Sequence, residues 1–136
     1  MATAAGKSRL SVVVVDDEGE MLQEEVAGLS EEGFVCWGAE SVAAAEALLA
    51  EQGEQIGVVV ADIRMPGKSG LDLARKLLGG EPIREVVIIS GHAGSAEQQL
   101  VNELGVRELL SKPFRLELLI AAVERALQRV AAARRP

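Results

Sequence analysis

The stretch LSVVVVDDE (10–18) carries an unbroken apolar run that ends at two adjacent acids. An uninterrupted run of this kind is typical of a strand buried on both faces, as in a parallel sheet covered by helices. Two similar runs follow at 56–61 and 86–89, and weaker strand patterns lie at 34–39 and 106–110. The sequence therefore predicts five strands of a buried sheet.

Helical patterns follow each of these strands. Ser41 is a suitable N-cap for the second of them, and glycine lies where several of them end. The predicted helices cover 22–29, 42–51, 71–78, 95–104 and 116–130. Strict alternation of strand and helix predicts a right-handed, doubly wound α/β sheet. Ligands of such sheets bind beyond the carboxyl ends of the strands, so we expect the functional site there.

Composition limits the classes of function. The chain has 136 residues, enough for one domain, and its net charge of −7 disfavours a general nucleic-acid-binding surface. No run is long enough for a membrane span. Cys36 is the single cysteine, which excludes an internal disulfide and favours a reducing cytoplasm. We expect residues 1–8 to be frayed, residues 9–130 to form the domain, and 131–136 to be a tail or the start of a linker.

Chemically useful side chains lie at the ends of four predicted strands. Asp16 and Asp17 end the first, Asp62 the third, Ser90 the fourth and Lys112 the fifth. Like charges about 4 Å apart repel by about 4 kcal/mol at an effective dielectric near 20, so grouped carboxylates need a compensating cation or raised pKa values. Oxygen ligands favour Mg²⁺ or Mn²⁺. Taken alone, Asp16 and Asp17 could equally cap the next helix or bind a metal ion. The presence of Asp62 at the neighbouring strand end favours the metal site.

Lysine is rarely left at the end of a buried strand without an anionic partner. The carboxylates at the same edge, or a phosphoryl group on one of them, would be that partner for Lys112. Pro113 restricts Lys112 to an extended backbone conformation. In the loop after Asp62, Gly70 is expected to permit a backbone angle that other residues resist.

Four motifs in order resemble the receiver domain of two-component response regulators of the CheY type. They are VVVVDDE (12–18), DIRMPGKSG (62–70), IISGHA (88–93) and SKPF (111–114), and the resemblance covers roughly residues 9–130. It implies a flavodoxin-like sheet with strand order 2-1-3-4-5 and five helices on both faces. It also implies a signalling switch that catalyses only its own phosphorylation and dephosphorylation.

The resemblance implies a role for each strand-end residue. Asp62 would accept a phosphoryl group from a phosphohistidine of a sensor kinase or phosphotransfer protein, and Ser90 and Lys112 would hold its oxygens. The Mg²⁺ (or Mn²⁺) ligands would be Asp17, Asp62 and the backbone carbonyl of Arg64, with Asp16 acting directly or through water.

The resemblance further implies an output surface. Phosphorylation would change how the face formed by helix 4, strand 5 and helix 5 binds an effector, an output domain or a second copy of the chain. An aromatic residue usually lies three positions before the lysine, and Leu109 stands there, which disfavours the tyrosine form of the switch. His92 is expected in an exposed loop, with an influence on dephosphorylation as the alternative.

Single features of the sequence also fit three other functions. GKS (67–69) is similar to the end of a nucleotide-binding P-loop. That motif, however, requires a glycine at the position of Asp62. An aspartyl-intermediate phosphatase commonly has a second acid two residues after its nucleophile, and Arg64 stands there. An interaction module that is not phosphorylated would not need the five strand-end residues.

Overall fold

The computed structural model describes residues 10–67, 69–91 and 94–135. All strand pairs are parallel, and the order across the sheet is β2-β1-β3-β4-β5. This confirms the predicted fold and strand order. The strands are β1 (Ser11–Val15), β2 (Val35–Ala39), β3 (Ile56–Asp62), β4 (Glu85–Ser90) and β5 (Glu108–Ser111).

Helices cover both faces of the sheet. They are α1 (Gly19–Glu31), α2 (Val42–Gln52), α3 (Gly70–Leu77), α4 (Ser95–Leu104) and α5 (Leu116–Arg134), with a short 3₁₀ turn at Gly53–Gln55. One apolar layer joins the sheet to α2, α3 and α4, and the other joins it to α1 and α5. The predicted helices therefore all form, within a few residues of their expected ends.

Strand β1 shows why the apolar runs are continuous. Val13 and Val15 face the layer of α2, α3 and α4, whereas Val12 and Val14 face the layer of α1 and α5. All four side chains are buried. Because successive side chains of a strand point to opposite faces, a sheet covered on both faces requires apolar residues at every position.

Local signals set the helix ends. The Ser41 hydroxyl accepts a hydrogen bond from the backbone N–H of Ala44 at 3.0 Å, as expected of an N-cap. Gly105 ends α4 with φ +92°, which only glycine adopts easily. The last helix continues to Arg134, so residues 131–134 are helical and the domain boundary expected at 130 falls inside α5.

The guanidinium of Arg134 fastens the end of α5 to the body of the domain. It donates hydrogen bonds to the backbone carbonyls of Ile83 (2.9 Å) and Ile56 (3.2 Å). The expected frayed segment at 1–8 lies outside the described residues. No helix in the described ranges has both the length and the apolar character needed to cross a bilayer.

Candidate functional site

The strand ends bring Asp62 and Lys112 into direct contact. The Lys112 ammonium lies 2.6 Å from Oδ2 of Asp62, although 50 positions separate the two residues. Backbone bonds between strand ends support this approach, because the N–H of Lys112 donates to the carbonyl of Ser90 at 2.8 Å. Asp62 is only 7% exposed. The lysine therefore has the anionic partner that the sequence predicts.

Lys112 keeps its positive charge in this setting. Burial alone would lower its pKa, but the hydrogen bond and charge of Asp62, together with the charges of Asp16 and Glu18, outweigh burial and raise the pKa. A lysine that stays charged beside a buried carboxylate neutralises one negative charge at neutral pH. It is therefore suited to hold an anionic group placed on Asp62.

The backbone around Asp62 is tightly packed. The second oxygen, Oδ1, accepts a hydrogen bond from the N–H of Arg64 at 3.0 Å. A Cβ atom at Gly70 would collide with the carbonyl oxygen of Asp62. The prediction that Gly70 allows an unusual backbone angle was wrong, because its φ is not positive. Glycine is needed there because the Asp62 carbonyl leaves no room for a side chain. The left-handed angle in this loop belongs to Gly67, at φ +80°.

Asp16 and Asp17 have different surroundings. Asp16 is 2% exposed, and its Oδ1 accepts a hydrogen bond from the N–H of Glu18 at 2.9 Å, so it also caps the start of α1. Asp17 is exposed and opens onto a cavity of about 460 Å³. The cavity is lined by Asp17, Glu18, Asp62, Arg64, Gly91 and Lys112. Four of the predicted site residues thus share one cavity, and Asp16 lies beside them.

The donor set fits Mg²⁺. Within the described ranges, no three His, Cys, Asp or Glu side chains are grouped closely enough to hold a metal ion by themselves. Mg²⁺ does not require such a cage, because it keeps several waters and takes one or two carboxylates from the protein. Asp17 and Asp62 supply two carboxylates in one cavity, and one ammonium does not balance the acids around it. A divalent cation would complete the charge balance.

Comparison with known proteins assigns the family. The family model of the response regulator receiver domain matches residues 12–124. This chain is a member of the response regulator receiver domain family. The match includes every strand-end residue of the site.

Relatives and solved structures agree. The chain is 30% identical over 116 residues to the C4-dicarboxylate transport transcriptional regulatory protein DctD of Rhizobium meliloti, covering 85% of this chain and 25% of that protein. A response regulator receiver domain protein from Clostridium thermocellum superposes with a TM-score of 0.84 and 29% identity, covering 91% of this chain and 98% of that one. The beryllofluoride-activated receiver domain dimer of NtrC4 superposes with a TM-score of 0.79 and 28% identity, covering 88% and 98%. The chain spans a quarter to a half of the length of the first curated relatives it matches.

Ser90 of this receiver domain has a partner that the sequence did not reveal. The side chain is 1% exposed, and its hydroxyl donates to Oε1 of Glu97 at 2.6 Å. Glu97 lies in the first turn of α4, where an acid is ordinary because of the helix dipole. Nothing in the spacing of the two residues marks them as a pair.

Glu25 is the second acid that was missed. It is 4% exposed on α1, and neither carboxyl oxygen has a hydrogen-bond partner among the described residues. Burial, and next the charge of Asp16, raises the pKa of Glu25 to about 8. A signal was available, since Glu25 lies three residues after Leu22 and four before Leu29, on the apolar face of the helix.

The position usually occupied by an aromatic residue holds a packed leucine. Leu109 is half-buried and contacts the layer formed with α2, α3 and α4. Leu109 therefore fills space on the edge strand β5, beside β4. It carries no hydroxyl group that a partner could bind. His92 lies outside the described residues, as does Lys68 of the GKS stretch.

Proposed function

We propose that this receiver domain is a phosphorylation-dependent switch that accepts a phosphoryl group on Asp62. The observation that carries the proposal is the buried Asp62 carboxylate at a cavity wall, with the Lys112 ammonium 2.6 Å from one of its oxygens. A structural ion pair does not require an adjoining cavity rich in acids. A site that receives a phosphoryl group requires both the ion pair and the acid-lined cavity beside it.

The chemistry is a transfer between two nucleophiles. A carboxylate oxygen of Asp62 attacks the phosphorus of a phosphohistidine on a sensor kinase or phosphotransfer protein; an O–P bond forms while the N–P bond breaks, and the imidazole nitrogen takes the bonding electrons. Lys112 then pairs with a phosphoryl oxygen. Because the product is an acyl phosphate, hydrolysis resets the switch.

The cation site supports this transfer. Asp17, Asp62 and the backbone carbonyl of Arg64 would hold Mg²⁺ (or Mn²⁺), with Asp16 acting directly or through water. The bound ion would neutralise charge on the phosphoryl oxygens as they approach the carboxylates. The protein's own contribution is to position these oxygens and to keep Lys112 charged.

The output is proposed to be a change in the surface of α4, β5 and α5. Val101 is the one buried residue of α4, so this helix is held more weakly than the other helices of the sheet. Leu118, at the start of α5, is 54% exposed. An effector, an output domain or a second copy of the chain would bind here. We place the switch in the cytoplasm and propose no turnover of an external substrate.

Intact-mass measurement with acetyl phosphate and Mg²⁺ tests the proposal. The wild-type protein should gain one phosphoryl group, and Asp62→Asn or added EDTA should abolish the gain. Asp72→Asn is the matched control, because Asp72 is the one aspartate outside the site and lies exposed in the capping box of α3. Phosphorylation of Asp62→Asn to the wild-type level would contradict the proposal. Steady release of p-nitrophenol from its phosphate ester would instead indicate a phosphatase.

A further inference from the structure

The hydroxyl expected to hold a phosphoryl oxygen is already committed to another acceptor. Ser90 donates to Oε1 of Glu97 at 2.6 Å, and Ser90 is 1% exposed. The other carboxyl oxygen of Glu97 lies 3.9 Å from the Arg64 guanidinium. Arg64 follows Asp62 by two positions, so Glu97 reaches the surroundings of the phosphorylation site from α4 through two different residues.

Glu97 and a phosphoryl oxygen would compete for the same hydrogen-bond donor, the hydroxyl of Ser90. A serine hydroxyl has one proton to donate, and an ionised carboxylate only accepts. A phosphoryl oxygen is also an acceptor, so Ser90 must give up its bond to Glu97 before it can donate fully to a phosphoryl group. Bonds to charged acceptors are the stronger class, which makes the exchange energetically significant.

We propose that Glu97 is a positioning residue that competes with the phosphoryl group for the Ser90 hydroxyl, so that phosphorylation frees the first turn of α4. This inference rests on the proposed function. In the unmodified protein, Glu97 holds Ser90 away from Asp62 and ties α4 to the end of β4. After phosphorylation, Ser90 turns to the new oxygens, and Glu97 loses its hydrogen bond.

The construction of α4 explains why release of one residue would matter. Gly94 occupies its N-cap and has no side chain to cap the helix. Val101, seven residues after Gly94, is the buried residue of this helix. In the described part of the chain, the first turn has no buried side chain of its own. The contact between Ser90 and Glu97 therefore couples the site to the proposed output surface.

A titration with beryllofluoride and Mg²⁺ tests the competition. Beryllofluoride mimics a phosphoryl group on aspartate without a covalent step, so the half-saturating concentration reports affinity, followed by NMR of the backbone amides. Glu97→Ala should bind about five- to tenfold more tightly than wild type, since the competing acceptor is gone. Glu97→Gln, which keeps an acceptor without the charge, should fall between them. Glu103→Gln, on the exposed part of the same helix, should match wild type.

A double-mutant cycle separates competition from a general loosening of α4. In a Ser90→Ala background, Glu97→Ala should no longer change beryllofluoride affinity, because there is no hydroxyl to compete for. Hydrogen exchange at 95–104 should be faster in free Glu97→Ala than in free wild type, at about the rate of wild type with beryllofluoride bound.

The outcomes are distinct. Equal affinities for wild type and Glu97→Ala, or an equal effect of Glu97→Ala with and without the Ser90 hydroxyl, would overturn this inference and leave the proposed function standing. Wild-type protein that binds no beryllofluoride and gains no phosphoryl group on Asp62 would contradict both.

Discussion

Glu25 and Glu108 are both buried glutamates, on the side of the sheet covered by α1 and α5, but only one has partners. Glu108, 8% exposed, accepts hydrogen bonds from Arg125 at 2.8 and 3.1 Å and from Arg129 at 2.9 Å. Glu25, 4% exposed, has no hydrogen-bond partner among the described residues. Because Glu25 and Glu108 are buried to a similar extent, they differ mainly in whether hydrogen-bond donors reach the carboxylate.

The two pKa values shift in opposite directions for this reason. The hydrogen bond from Arg125 is the largest influence on Glu108, and with Arg129 it outweighs burial and lowers the pKa. Burial is the largest influence on Glu25, the charge of Asp16 adds to it, and the pKa rises to about 8. One residue type therefore stabilises the fold at neutral pH in one place and costs stability in the other.

The two glutamates also differ in where they lie relative to the site. Through Arg129, Glu108 is linked to Glu85, so the network joins β4, β5 and α5 far from the site. Glu25 lies beside the strand-end acids and borders a groove of about 350 Å³ that Lys112 and Phe114 also line. Local conflicts of this kind are expected at functional sites rather than in the supporting framework.

The largest effect is expected from Glu108→Gln. The change leaves Arg129 with only Glu85 and Arg125 without its carboxylate, and breaking a buried pair typically costs 3–5 kcal/mol. We expect a loss of about 2–3 kcal/mol at pH 7, because Arg129 keeps one partner and Arg125 is half exposed. Urea unfolding of wild type and variant measures it.

The pH dependence of the same pair has a defined sign. A carboxyl with a lowered folded pKa contributes its stability above the unfolded value of 4.5 and loses it as the pH falls through the folded pKa. The gap between wild type and Glu108→Gln should therefore close in acid. Glu103→Gln, an exposed acid, is the control. A gap that stays constant down to pH 3 would contradict the ion-pair explanation.

Glu25→Gln should have a smaller effect of the opposite sign. A carboxyl whose folded pKa is raised destabilises the fold progressively as the pH rises from about 4.5 to about 8. Each pH unit in that window costs at most about 1.4 kcal/mol. With EDTA present, we expect the variant to equal wild type near pH 4, below this window, and to exceed it by about 2 kcal/mol at pH 9.

Glu24→Gln is the matched control for Glu25→Gln, since Glu24 is the exposed neighbour on the same helix. Its stability should follow wild type at every pH. If Glu25→Gln also followed wild type from pH 5 to pH 9, Glu25 would have to be ionised without cost, and the contrast with Glu108 would disappear.

The sheet and most of the site were predictable because they depend on local pattern and chain direction. Val12 to Val15 require burial on both faces, and Asp62 and Lys112 end parallel strands, so they must meet at one edge. The pairing of Ser90 with Glu97 depends on how α4 lies against the strand ends, which no local pattern specifies.

The two buried glutamates were only partly predictable from the sequence. Helical periodicity puts Glu25 on the apolar face of α1, but acids are so seldom buried that this pattern does not by itself predict a buried glutamate. For Glu108, the decisive partners come from α5, 17 and 21 positions later in the chain. Sequence pattern indicates that a face is buried; it does not indicate which donors reach it.

Arg125→Ala is expected to have the smallest effect, and it tests which donor matters in the network. Its hydrogen bond is the largest influence on the pKa of Glu108, yet 55% of its side chain is exposed, against 27% for Arg129. Water screens an exposed pair, so we expect a loss below about 1 kcal/mol for Arg125→Ala. Arg129→Ala should cost clearly more, because it removes the partner that Glu85 and Glu108 share. Equal losses in urea unfolding would mean that exposure does not decide the strength of these ion pairs.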